Sequence, residues 1–435
     1  MNPLAHLTRP RGLRLPRHRA TTAQLCAVYP FHAEAGLGPR GVYLGTDVYA
    51  GGSAFCFDPF ELYRAGVLTS PNMLIVGEVG AGKSSAVKTF LYRSVGQLRT
   101  PGGRRWWAAI VDPKGEYEPL ADALGLDRVA LHPGGTQRLN PLDPGPGTPD
   151  ADELATRRTA MVTALTSAVL HRDLQPLEDA ALGWTADHLS RHHPTPTLHD
   201  LAALLADPPP EIVAGAQIPQ GELIRAAAPV RWALGKLLDR ELRGLFDGPS
   251  TVTVDWHGRG LVLDLSAIHH DPDALTLVMI AATAWLQALM AAPDTDDTPQ
   301  RVQVLEECWA LLGAERTAKY LQSCWKLSRT YGVANIAVAH RISDLRAQAD
   351  DGTATAKVAT GLLADTQTRV LFRQSSDQVP DARTMLELTD IEAHQLPRLP
   401  KGHALWRVGD HAALVEHVIG AHETWICDTD QKFSA

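Results

Sequence analysis

Two rhythms of apolar residues alternate along this chain. Short, mostly apolar runs, such as Met73–Val76, Trp106–Val111, Leu261–Leu265, Val302–Leu305 and Val333–Ala339, read as buried strands. Between them, apolar positions recur at helical spacing, as at Val87, Phe90 and Leu91 after Ser84. Strands alternating with helices predict a mostly parallel sheet covered on both faces, an α/β fold. The stretches "TVTVDW", "RVQVLEE", "VANIAVAH" and "TRVLFRQ" are further expected strands, and a helix is expected through Lys326. Residues 21–70, punctuated by glycines, read as strands and turns.

The rhythm changes inside the chain. After the Pro- and Gly-dense stretch "LHPGGTQRLNPLDPGPGTPD", residues 151–245 become alanine-rich and helical, with few strand candidates. This predicts an all-helical subdomain inserted at 141–250, between a first core part at 23–140 and a second at 251–420. A basic tail would occupy 1–22 and a C-terminal tail 421–435. The uncharged run Leu275–Ala292 is near membrane-spanning length, yet it holds Thr276, Thr283 and Gln287 and lies between two strands of one sheet. It is expected to be a buried crossover helix.

Composition bounds the function classes. With 45% hydrophobic and 21% charged residues in 435, the chain can bury a sizeable core. A net charge of −8 argues against a surface-wide attraction to nucleic acid. Five cysteines without a CxxC read as reduced thiols of a cytoplasmic protein. The proline-broken arginines of the first 22 residues, Arg9, Arg11, Arg14, Arg17 and Arg19, read either as a solvated tail or as a tether to an acidic partner or an anionic membrane. His188 and His192 share a helix face, but Leu189 stands where a metalloprotease carries glutamate, so zinc is not expected.

The chemistry concentrates in "GEVGAGKS", Gly77–Ser84, which matches the phosphate-binding P-loop. Gly77, Gly80 and Gly82 allow the loop, with Val79 and Ala81, to turn its N–H groups inward. The helix starting near Ser84 and Ser85 adds its positive end. Lys83 would reach the β- and γ-phosphates of ATP, and Ser84 would ligate Mg²⁺. "VLEE" ends a buried strand in two adjacent acids, Glu306 and Glu307. Glu306 would lie on the metal, as Glu one methylene longer than the usual Asp, and Glu307 on the attacking water. His340 ends the strand after Arg329, so it would face the nucleotide crevice. Arg329, at the strand's other end, would reach only a neighbouring subunit's nucleotide, or else serve as a helix C-terminal cation; Arg373 is the rival finger.

"VDPKGEY", "LNPLDPG", "LEECWALL" and "AVAHRISDL" together resemble the VirB/TraC-type ATPases of conjugation and type IV secretion, within the FtsK–HerA group of hexameric P-loop motors. The resemblance spans about residues 30–420. It implies a RecA-like P-loop NTPase core with a helical insertion, ATP hydrolysis at subunit interfaces, a homo-oligomer, a hexamer, and work at the inner face of a membrane channel. The family pattern has Asp-Glu where Glu306–Glu307 stand and Gln where His340 stands. Its membrane-docking domain would be supplied by a separate polypeptide. Asp112 would lie near the nucleotide, and Lys114 and Glu116 at an interface or on a charged surface loop. An FtsK/HerA-like DNA translocase and a nucleotide-gated docking subunit with little turnover are the alternatives; a kinase or GTPase lies further off, since no NKxD motif occurs.

Overall fold

The computed structural model describes residues 36–97, 104–146, 150–239, 242–291, 298–312, 315–327, 329–340 and 361–428. The basic tail, Cys26, Ser328 and the "RISDL" part of the last motif lie outside the described residues.

The strands are β1 (Val42–Asp47), β2 (Ser53–Phe57), β3 (Met73–Val76), β4 (Trp106–Asp112), β5 (Asp127–Ala130), β6 (Gly260–Asp264), β7 (Gln300–Leu305), β8 (Val333–Ala339), β9 (Thr368–Leu371), β10 (His403–Val408) and β11 (His411–His417). They form one 11-stranded sheet in the order β2-β1-β11-β10-β9-β3-β8-β7-β4-β6-β5. From β9 to β5 every pairing is parallel; β10, β11, β1 and β2 add an antiparallel edge. The parallel strands β3, β4, β7 and β8 are buried along their whole length; among their polar members, Arg301 donates to Met290 O and Tyr331 O, and Asn335 Nδ2 to Asn72 Oδ1.

The helices are α1 (Pro59–Arg64), α2 (Lys83–Gln97), α3 (Glu118–Leu124), α4 (Ala151–Leu170), α5 (Pro176–His192), α6 (Leu198–Ala206), α7 (Pro210–Ala216), α8 (Gln220–Asp239), α9 (Pro272–Met290), α10 (Glu315–Leu327), α11 (Val379–Met385), α12 (Asp390–Gln395) and α13 (Thr424–Cys427). One core lies under α2 and α3 and the antiparallel edge; the other joins the opposite sheet face to α9, α10 and the helical insertion α4–α8. Helix α9 starts at Asp271, whose carboxylate accepts from the amides of Asp273 and Ala274. It is long and apolar enough to cross a membrane, but 83% of its apolar window is buried inside the fold, where it crosses between β6 and β7.

The "LNPLDPG" stretch forms the root of the insertion. Entry and exit run side by side: Leu139 N–H donates to Leu245 O at 2.9 Å and Thr251 N–H to Arg138 O at 3.1 Å. Asn140 ties this root to the α5–α6 loop through Nδ2 and Pro196 O, 2.8 Å apart. Gly145 lies against α9 so closely that a Cβ would sit 1.9 Å from Ala288 O. The expected strand at "TVTVDW" is not one. Its backbone is drawn into this root instead, Thr251 Oγ1 taking the Arg138 amide at 2.9 Å. The β10–β11 hairpin, the edge strand β5 and the C-terminal helix α13 were not expected.

Candidate functional site

The P-loop joins β3 to α2. Gly80 and Gly82 have φ of +76° and +114°, which a side chain would strain. At Gly77 a Cβ would meet Phe372 Cβ at 2.4 Å. The loop is held by its neighbours on both sides: Glu78 N–H donates to Arg373 O at 2.9 Å, and Gly402 N–H to Ala81 O at 2.9 Å. Phe372, below the loop, stacks on His417 with ring centroids 5.3 Å apart. His417 Nδ1 meets Gly402 O at 3.0 Å, and its Nε2 accepts from Trp406 Nε1–H at 3.2 Å. That pairing fixes a neutral ring, and burial pushes its pKa down to about 4.

The strand order settles how the acids reach this loop. β8, not the acid-bearing β7, is the immediate neighbour of β3. His340, at the tip of β8, therefore stands between the P-loop lysine and the acid pair. Lys83 Nζ donates to Gly77 O at 2.5 Å and Glu78 O at 3.0 Å, and lies 3.2 Å from His340 Nδ1. With Nδ1 accepting, the Nε2 hydrogen points at Glu307 Oε1, 2.7 Å away. Lys114 Nζ pairs with the same carboxylate and lies 3.0 Å from His340 Nε2. Lys83, Lys114, His340 and Glu307 are thus one contiguous chain of polar contacts.

The two acids differ sharply. Glu307 sits in the left-handed region at φ +54° and is buried. Burial would raise its pKa, but hydrogen bonds from His340 and Lys114 overcome that and hold it at about 2. Glu306 faces the cleft, and burial pushes its carboxyl up to about 7 against the hydrogen bond from Tyr117. Tyr117 Oη donates to Glu306 Oε1 at 2.5 Å. The "DPKGEY" turn places it there. Asp112 accepts from the amides of Lys114, Gly115 and Tyr117 at 3.2, 3.0 and 2.8 Å, so this acid shapes the loop. Burial also brings Lys83 down to about 8.

Loop and acid strand share one cleft of about 760 Å³, lined by Val79, Gly80, Gly82, Lys83, Ser84 and Ser85 on one side and by Lys114, Glu116, Tyr117, Glu306 and His340 on the other. Among the described residues no cluster of three or more His, Cys, Asp or Glu is arranged to hold a metal. A cation here would take one or two protein oxygens, Ser84 and Glu306, with phosphate and water completing its shell. That donor set fits Mg²⁺, a hard ion that keeps several waters. Arg329 lies at the opposite end of β8, its Nη1 3.5 Å from Thr69 O, outside the cleft. Arg373 follows β9 beside the loop, Nε 3.1 Å from Glu78 Oε2. Sequence reasoning did not single out Tyr117 or the lysine contact to Glu307; the signal was the tight Asp112 turn, which aims both inward.

No protein-family model matches this chain, and no curated protein matches it. Solved structures do. VirB4 of Thermoanaerobacter pseudethanolicus superposes with a TM-score of 0.71 at 20% identity, over 90% of this chain and 100% of that one. The chain has the VirB4 fold. The plasmid coupling protein TrwB in complex with ADP and Mg²⁺ aligns with a TM-score of 0.55 at 16% identity, over 80% of this chain and 86% of that one. TrwB with the GTP analogue GDPNP aligns equally well, at 17% identity. The VirB4 fold thus runs through the P-loop core and the helical insertion together.

Proposed function

We propose that this protein is a Mg²⁺-dependent ATPase that powers substrate transfer or pilus assembly by a conjugation or type IV secretion machine. It would act as a homo-oligomeric ring, a hexamer, on the cytoplasmic face of the cell membrane, docked to channel components through a partner polypeptide. One observation carries the catalytic part: Lys83 and His340 touch in the wall of a single cleft, and Glu307 is buried directly behind His340, 2.7 Å from its Nε2. TrwB, which shares the fold, is described with ADP and Mg²⁺ bound.

The inward amides of the loop and the start of α2 would cradle the α- and β-phosphates. Lys83, now turned back on Gly77 O and Glu78 O, would exchange those carbonyls for β- and γ-phosphate oxygens. Mg²⁺, held by Ser84 and Glu306, would neutralise charge on the β- and γ-phosphates. Lys114 and His340, both at the cleft wall, would be drawn to the γ-phosphate, freeing the Glu307 carboxylate to orient water. Arg329 would complete a neighbour's site; Arg373 is engaged by Glu78 in its own subunit.

A second reading, a nucleotide-gated docking subunit with little turnover, is favoured by the engagement of Glu307 with Lys114 and His340. Steady-state phosphate release separates the two. The motor predicts turnover in the natural protein and a loss on the order of 10²-fold or more in Glu307→Gln. No turnover at any ATP concentration, with partner present, supports the gate. Stimulation of turnover by DNA would identify a DNA translocase.

A further inference from the structure

We infer that the C-terminal segment Val418–Asp428 is the nucleoside-binding wall of this cleft, with Trp425 stacking on the base. The inference rests on the reading of the cleft as a nucleotide site and adds the part that recognises what lies beyond the phosphates.

The segment is fastened to α2. Arg93 reaches Glu423 through Nε at 2.7 Å and through Nη2, and Nη2 also donates to Val418 O at 2.7 Å. Glu423 is almost wholly buried, and Gly420 N–H donates to its Oε2 at 2.7 Å. Burial would raise its pKa, but Arg93 keeps it below the usual carboxylate range. Ile426 is 1% exposed and packs into the core under α2. These anchors leave the flanking apolar side chains facing outward. Trp425 is 49% exposed and Ile419 43%, and both line the same cleft as Lys83 and Ser84.

The order of the phosphates gives the direction. Lys83 serves the β- and γ-phosphates, while the α-phosphate lies toward the start of the helix, at Ser84 and Ser85. Cys427 Sγ lies 3.9 Å from Ser85 O, so the C-terminal segment stands beside the α-phosphate end. A ribose and base leaving that end meet Trp425 and Ile419. An aromatic face left in water beside a phosphate cradle suits a purine, because stacking needs no hydrogen-bond pattern. The wall is therefore expected to hold adenine and guanine nucleotides with similar strength.

Calorimetric titration of the full chain with Mg²⁺ and either ADP or inorganic tripolyphosphate tests this. In Trp425→Ala, ADP affinity is expected to fall about tenfold, the size of one lost base stack, with tripolyphosphate affinity unchanged. Trp425→Phe should restore most of the ADP affinity. Equal weakening of both ligands, unchanged ADP affinity, or a change only in oligomeric mass would overturn the assignment. Failure of the natural protein to bind either ligand would instead remove the nucleotide reading itself. Trp425 is half exposed, so the variant should melt within a few degrees of the parent, which the same samples can verify.

Discussion

At the scale of single residues, two positions control the loop that would hold phosphate. Gly82, at φ +114°, has Gly402 3.3 Å from where a Cβ would be. Gly82→Ala should cost about 1–3 kcal/mol of stability, read in denaturant titration, and abolish nucleotide binding. His417 is the second. Its ring is neutral in the fold, with a pKa of about 4 against an ordinary 6.5, and it faces His403 and Arg93. The unfolded chain takes up a proton that the fold refuses in that window. Stability from His417 is therefore complete above about pH 6.5 and is lost as pH falls toward 4. Thermal melts between these values should show a steeper loss for the parent than for His417→Phe; parallel curves would contradict the assignment. Because His417 stacks on Phe372 beneath Gly77, the same protonation should loosen the loop.

At the scale of elements, what the sequence reveals depends on how local the cause is. β3, the P-loop and α2 were legible because a buried strand, a glycine turn and an apolar helix face are all written within a few residues. The acid pair was legible as strand-end chemistry. The contacts that hold Glu307 were not, since Lys114 and Glu307 meet only after β4 and β7 pair. That β8 intervenes between β3 and β7 is a matter of sheet order, which periodicity does not encode. "TVTVDW" alternates like a strand, yet the insertion's root claims its backbone. The C-terminal segment looked like a tail because its anchors, Arg93 and Glu423, lie far apart in sequence. Arg93→Ala would leave Glu423 buried without its cation, a loss of about 3–5 kcal/mol. Its melting temperature should drop, and limited proteolysis should cut near residue 420 before anywhere in α2.

At the scale of the whole molecule, the sheet separates two tasks. One face carries α2, α3 and the nucleotide cleft's C-terminal wall; the other carries α9, α10 and the helical insertion. Asn140 ties the insertion's root to its α5–α6 loop, and Gly145 packs that root against α9. A ring of such subunits would place Arg329 of one against the cleft of the next. Native mass measurement should move from the 47.1 kDa of one chain toward six times that value when a non-hydrolysable ATP analogue is added. Arg329→Ala should keep the mass and lose turnover.

One magnesium-bound triphosphate is expected to occupy the space between Lys83 and Glu306. A structure of the protein with Mg²⁺ and a non-hydrolysable ATP analogue tests it most directly. The expected result has phosphates inside the loop of residues 79–84, Lys83 released from Gly77 O, and Glu306 on the cation side. Nucleotide bound elsewhere, or a loop left empty at saturating analogue with Lys83 still on Gly77 O, would contradict it.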